Sequence, residues 1–168
     1  MFRIIFGLVF LVAVRALSKK PLDMAAVKGN ALRLLISGVV MGLNWVALFE
    51  SYRYIDVSVA TVLYYCAPIF VIIGSVFFFK EKLGLAKVSA IAIAAAGMVI
   101  VTGVKAGGTD PAKGVFFVLI SAVLYASVTL INKTFSGLDG LDTTIGQLIG
   151  AGLVVIPAAL ISHSGGWS

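Results

Sequence analysis

Apolar residues gather along this chain into six long runs, at positions 4–17, 32–49, 57–79, 88–104, 114–131 and 143–161. Charge or turn chemistry separates them: Ser18-Lys19-Lys20-Pro21, Lys80-Glu81-Lys82, Gly107-Gly108-Thr109-Asp110-Pro111 and Gly137-Leu138-Asp139-Gly140. Stretches such as Ile69-Phe70-Val71-Ile72-Ile73 are apolar on consecutive positions. They lack the period-two alternation of a membrane barrel strand. Lipid supplies no water to satisfy backbone groups, so runs of this kind are expected to be helices. The first run is the weakest: it is short and carries Arg15 near its end. A signal peptide is the rival reading there, but Ala13-Val14-Arg15-Ala16 is a poor small-residue cleavage site.

Composition changes this from a helical protein to a membrane one. The 168 residues are 61% hydrophobic and 12% charged, with a mean hydropathy of +1.12. Soluble domains average about 45–50% apolar and roughly 25% charged, and a small soluble domain leaves much of its surface facing water. Disorder is excluded by the same numbers. An all-α integral membrane protein with about six transmembrane helices is the expected fold class, in contact with the lipid bilayer.

Thirteen Lys and Arg against seven Asp and Glu give a formal charge of +6. In a soluble chain that excess would raise nucleic acid as a partner. Here the basic residues sit in short loops, where they act as topology signals. One side collects Arg15, Lys19, Lys20, Lys28, Arg33, Lys80, Lys82, Lys87 and Lys133; the other has Arg3, Arg53, Lys105 and Lys113. The first side is therefore expected to be cytoplasmic, and no nucleic-acid partner is expected. Cys66 and His163 are single residues of their kinds, too few for a disulfide framework or a zinc site.

Polar residues inside apolar spans carry the chemical information, because each must find a partner or line a cavity. The second run holds Asn44 and Trp45, with Glu50, Tyr52 and Arg53 at its end. The third places Ser58, Thr61, Tyr65, Pro68 and Ser75 on one helical stripe, with Tyr64 beside it. The fifth carries Ser121, Tyr125, Thr129 and Asn132, and the sixth Gln147 and Pro157. Such stripes suit either a wet cavity wall or plain interhelical hydrogen bonding. The candidate substrate-pathway residues are Asn44, Tyr64, Tyr65, Pro68, Tyr125, Asn132 and Gln147. Pro68 removes a ladder bond, so a kink is expected there. Glu50 is read as the one acid able to enter a span, either as a coupling residue or as the i,i+3 partner of Arg53. Gly38-Val39-Val40-Met41-Gly42 and Gly146-Gln147-Leu148-Ile149-Gly150 have GxxxG spacing, suited to close helix packing or to homo-oligomers.

No GxxxxGK[ST] loop is present to cradle phosphate. No histidine is in register with a nucleophile, and no potassium-filter sequence or arginine-rich sensor helix occurs. No catalytic residue, metal site or cofactor is expected, and transport of a small-molecule substrate fits better than an enzyme. A non-transporting scaffold acting by helix association is the alternative.

From Leu43 to Gly103 the chain resembles the EamA-type branch of the drug/metabolite transporter superfamily. The likeness runs through Leu43-Asn44-Trp45, Phe49-Glu50-Ser51-Tyr52-Arg53-Tyr54, Val57-Ser58-Val59-Ala60-Thr61, and Tyr65-Cys66-Ala67-Pro68-Ile69-Phe70. It continues in the turn Phe79-Lys80-Glu81-Lys82-Leu83, where the family usually has Glu-Arg, and in Ala96-Gly97-Met98-Val99-Ile100-Val101-Thr102-Gly103. The resemblance implies a ten-helix inverted-repeat fold. Residues 1–104 would be a first repeat lacking its opening helix, 105–113 a linker, and 114–168 the start of a second repeat lacking its last three helices. It also implies an inner-membrane carrier, a truncated one, that moves amino acids or drug-like metabolites, often outward. Alternating access around a midplane cavity is the implied mechanism.

Overall fold

Apart from a turn in the third, the six apolar runs are helical wherever they are described in the computed structural model, which describes residues 2–17, 24–80, 84–102, 108–135 and 137–164. The elements are α1 (Phe2–Leu17), α2 (Met24–Ser51), α3 (Val57–Tyr64), α4 (Ala67–Phe79), α5 (Leu85–Thr102), α6 (Pro111–Asn132) and α7 (Gly140–Ser164). No strand occurs among the described residues. Among the described residues four stretches are long and apolar enough to cross a membrane: Val27–Ser51, Val57–Phe79, Pro111–Asn132 and Gly140–Ala159. In α5 the described apolar stretch is the shorter Val88–Gly97. Lys19, Lys20, Glu81, Lys82 and Lys105, counted in the charge balance or the turns, lie outside the described residues.

Helix α2 begins eight residues before its apolar run. Charge alone does not end a helix, and the Met, Ala and Lys of this segment are good helix formers. The third run is interrupted, which turns the expected kink into a break. Pro68 has no N–H to offer the Tyr64 carbonyl, and its ring crowds that oxygen. The chain responds with a tight turn: Tyr65 N donates to Thr61 O and Val62 O at 3.2 and 3.1 Å, and Cys66 N to Leu63 O at 3.0 Å. Ile69 N then donates to Cys66 O at 2.8 Å, and α4 resumes with the proline in its first turn. At its far end α4 stops on Lys80, which is left-handed with φ 52°.

The helices form two compact units. The first comprises Met1–Leu43 with Ile131–Ser168, and the second Asn44–Leu130. In the first, α1 packs on α7, and α2 meets α7 at glycines. A Cβ at Gly38 would lie 2.6 Å from Gln147 O and 2.8 Å from Gly150 Cα, and one at Gly150 would lie 2.9 Å from Gly38 Cα. The two GxxxG faces therefore occupy each other within one chain, backbone on backbone. The homo-oligomer expectation loses its basis there. In the second unit α3 packs on α5. Its core is Ile55, Ala60, Leu63 and Val118, with Tyr52, Val59, Tyr64 and Val115 against it.

Candidate functional site

The second unit brings polar side chains of three helices together. Asn44 on α2 is 1% exposed and Ser121 on α6 is fully buried. A buried amide in apolar surroundings must be hydrogen-bonded, and Asn44 is. Ser121 Oγ donates to Asn44 Oδ1 at 2.6 Å and also faces the Asn44 backbone oxygen at 3.1 Å. Asn44 Nδ2 donates to the Tyr64 hydroxyl at 3.3 Å. Tyr64, the last residue of α3, sits edge-on to Tyr125 with ring centroids 5.8 Å apart. Tyr125 remains 39% exposed, so the group is open along that ring.

Of the sequence candidates, Asn44, Tyr64 and Tyr125 thus meet. Tyr65 does not join them: it is 67% exposed on the turn before Pro68. Tyr65 keeps phase with Ser58 and Thr61, its N–H still meeting Thr61 O, but that stripe is the outer face of α3: Ser58 is exposed, whereas Ala60 and Leu63 are buried. Pro68 itself is exposed and acts by shaping the break.

Asn132 and Gln147 meet in the first unit instead. Gln147 Nε2 donates to Asn132 Oδ1 at 2.6 Å and to Ser37 Oγ at 3.2 Å, and Ser37 Oγ donates to Leu34 O at 3.0 Å. Both amide hydrogens of Gln147 are used, which suits a staple between α2 and α7 beside the glycine crossing. Asn132 and Gln147 find these partners within the chain, as buried polar groups must.

Glu50 is half-buried and committed. It accepts from Arg53 at 3.2 and 3.3 Å and from the Tyr54 hydroxyl at 3.2 Å. Around it, Tyr54 stacks on Phe117, Lys113 Nζ lies 5.2 Å over the Tyr54 ring, and Asp110 N donates to Tyr54 O at 3.4 Å. The i,i+3 pair read from sequence is present.

Sequence reasoning missed one ionic pair. Arg15, ending α1, donates to Asp142 in the first turn of α7 at 3.0 Å, with side chains 9% and 4% exposed. Asp139 lies 3.6 Å from the same guanidinium but is 45% exposed. Asp142 falls inside a candidate span, so Glu50 is not the one acid there. The pair is 127 residues apart in sequence, and only the macrodipole rule, basic at a helix end and acidic at a helix start, hinted at either member. Among the described residues no cluster of three or more His, Cys, Asp or Glu is placed to hold a metal.

Residues 1–103 match the family model described as the EamA-like transporter family. The chain is also similar to the uncharacterized transporter YxxF of Bacillus subtilis (strain 168), with 32% identity over 133 residues. The matched stretch is 77% of this chain and 42% of that protein, so the chain spans well under two thirds of its relative's length.

Proposed function

The chain belongs to the EamA-like transporter family and is a multi-pass integral membrane protein of the cell membrane, and from that premise we propose that Asn44, Tyr64, Ser121 and Tyr125 form a wall of its substrate pathway. The observation that carries the reading is the cluster itself. Four uncharged hydroxyl, amide and aromatic groups converge inside otherwise apolar helices, with one ring left exposed. Polar groups are costly in lipid and are expected where a solute passes or binds. A wall without fixed charge suits small metabolites, amino acids or drug-like molecules, moved outward across an inner membrane without enzymatic chemistry. Alternating access between repeats, divided at 1–104 and 114–168, is the proposed mechanism.

The scaffold alternative relied on glycine faces turned towards lipid. Those glycines meet each other inside the first unit, which leaves the carrier reading ahead. In a transport assay, Tyr64→Ala and Asn44→Ala should lower uptake or efflux at least several-fold at normal membrane abundance, while Tyr65→Ala has a smaller effect. Parental transport by both Tyr64→Ala and Asn44→Ala would show the cluster to be packing alone.

A further inference from the structure

The hydrogen-bond directions around Asn44 narrow what this site can hold, given the pathway reading above. An amide can sit in either of two flipped orientations, and distance discriminates between them. The contact to Ser121 is 2.6 Å, short enough for O–H···O, and the contact to Tyr64 is 3.3 Å, at the long end for N–H···O. The oxygen therefore faces Ser121 and the nitrogen faces Tyr64. Ser121 can only donate to that oxygen, and the Tyr64 oxygen is already an acceptor. A phenol has one proton, and no group among the described residues takes the one on Tyr64.

We infer that Ser121 and Asn44 orient the Tyr64 hydroxyl as a hydrogen-bond donor to substrate, so that the site selects aromatic solutes bearing a carbonyl or carboxylate oxygen. The Tyr64 and Tyr125 rings already meet edge to face at 5.8 Å, an arrangement a third ring can extend. Ser121 is a positioning residue: it is fully buried and acts through Asn44. Without its hydroxyl the amide is free to turn, its oxygen accepts the Tyr64 proton, and the donor is lost to substrate.

Saturable binding of three radiolabelled probes to the purified chain in nanodiscs tests this. Phenethylamine has no such oxygen, phenylalaninamide adds a carbonyl, and phenylalanine adds a carboxylate. Wild type should bind phenylalaninamide, phenylalanine or both roughly tenfold more tightly than phenethylamine, the worth of one good hydrogen bond in a dry site. The two oxygen-bearing arms show which acceptor is preferred. Tyr64→Phe and Ser121→Ala should both erase that preference, bringing the three probes to similar affinities, and Ser121→Cys should restore part of it. A wild-type preference that survives both substitutions, or no preference at all, overturns the inference. Tyr64→Ala and Tyr125→Ala separate the two levels. If they abolish all binding while the ratios ignore Tyr64→Phe and Ser121→Ala, the donor assignment alone fails. If they leave binding intact, the site reading fails with it.

Discussion

Replacing Arg15 with methionine keeps most of the side-chain volume and removes the charge that faces Asp142. The carboxylate it abandons is 4% exposed, bonds through Oδ2 to Arg15, and has no hydrogen-bond partner on Oδ1. Breaking a buried ion pair from one side typically costs about 3–5 kcal/mol, because the remaining charge is stranded. Here Asp142 lies in the first turn of α7, where the helix N-terminus offsets about 0.3–1 kcal/mol of that. A loss of about 2–4 kcal/mol is therefore expected for Arg15→Met. Asp142→Leu should cost less, since Arg15 keeps Asp139 at 3.6 Å, a half-exposed pairing worth about 0–1 kcal/mol. The double variant Arg15→Met/Asp142→Leu strands nothing and should recover most of the loss, giving a coupling energy of at least about 2 kcal/mol. Reversible SDS titration of the purified chain in mixed micelles, followed by helicity, measures each corner of the cycle. A coupling below about 0.5 kcal/mol would refute the reasoning, as would a double variant as unstable as the sum of the singles.

The glycine crossing makes a sharper contrast between two identical substitutions. Gly38→Val drives a side chain into the Gln147 and Gly150 backbone and should destabilise by about 1–3 kcal/mol, whereas Gly97→Val, with nothing within 4 Å of its Cβ, should shift the same SDS midpoint by no more than about 0.5 kcal/mol. For topology, single cysteines at Gly29 and Gly84 in a Cys66→Ser background should resist a membrane-impermeant maleimide in intact cells, while one at Ala112 reacts; the reverse pattern would invert the orientation drawn from the basic residues.

The helices were legible because each apolar run is bounded by charges or turn residues that lipid will not accept. The Pro68 break was legible as chemistry, since a missing N–H is visible in any sequence. Which face of α3 turns inward was not. The turn re-aims α4 relative to α3 but leaves Tyr65 in phase with Thr61; Tyr64, one turn after buried Ala60, is the residue on the inner face of α3 that reaches Asn44. Glu50 with Arg53 could be read because the partners share one helical turn. Arg15 with Asp142, Gln147 with Ser37, and Gly38 with Gly150 could not be paired. Each joins helices more than a hundred residues apart, and spacing along one helix carries no information about which distant helix will meet it. Ser121 was visible as one hydroxyl on a stripe, but its role depends on the direction of a hydrogen bond from another helix.

The discontinuous make-up of the first unit sets a timetable for assembly. Ser37 and Gln147 are 110 residues apart, and at about 5–20 residues per second a ribosome needs roughly 5–20 s to travel between them. During that interval α1 and α2 are already made, while the partners of Arg15 and Gly38 do not yet exist. The second unit, Asn44–Leu130, is one unbroken stretch and has every partner in hand as soon as α6 emerges. The contiguous unit can therefore form while α1 and the start of α2 still wait for α7. A helper that shields Arg15 and the small-residue groove of α2 from lipid and from other nascent chains would act in that window, before α7 arrives to close it.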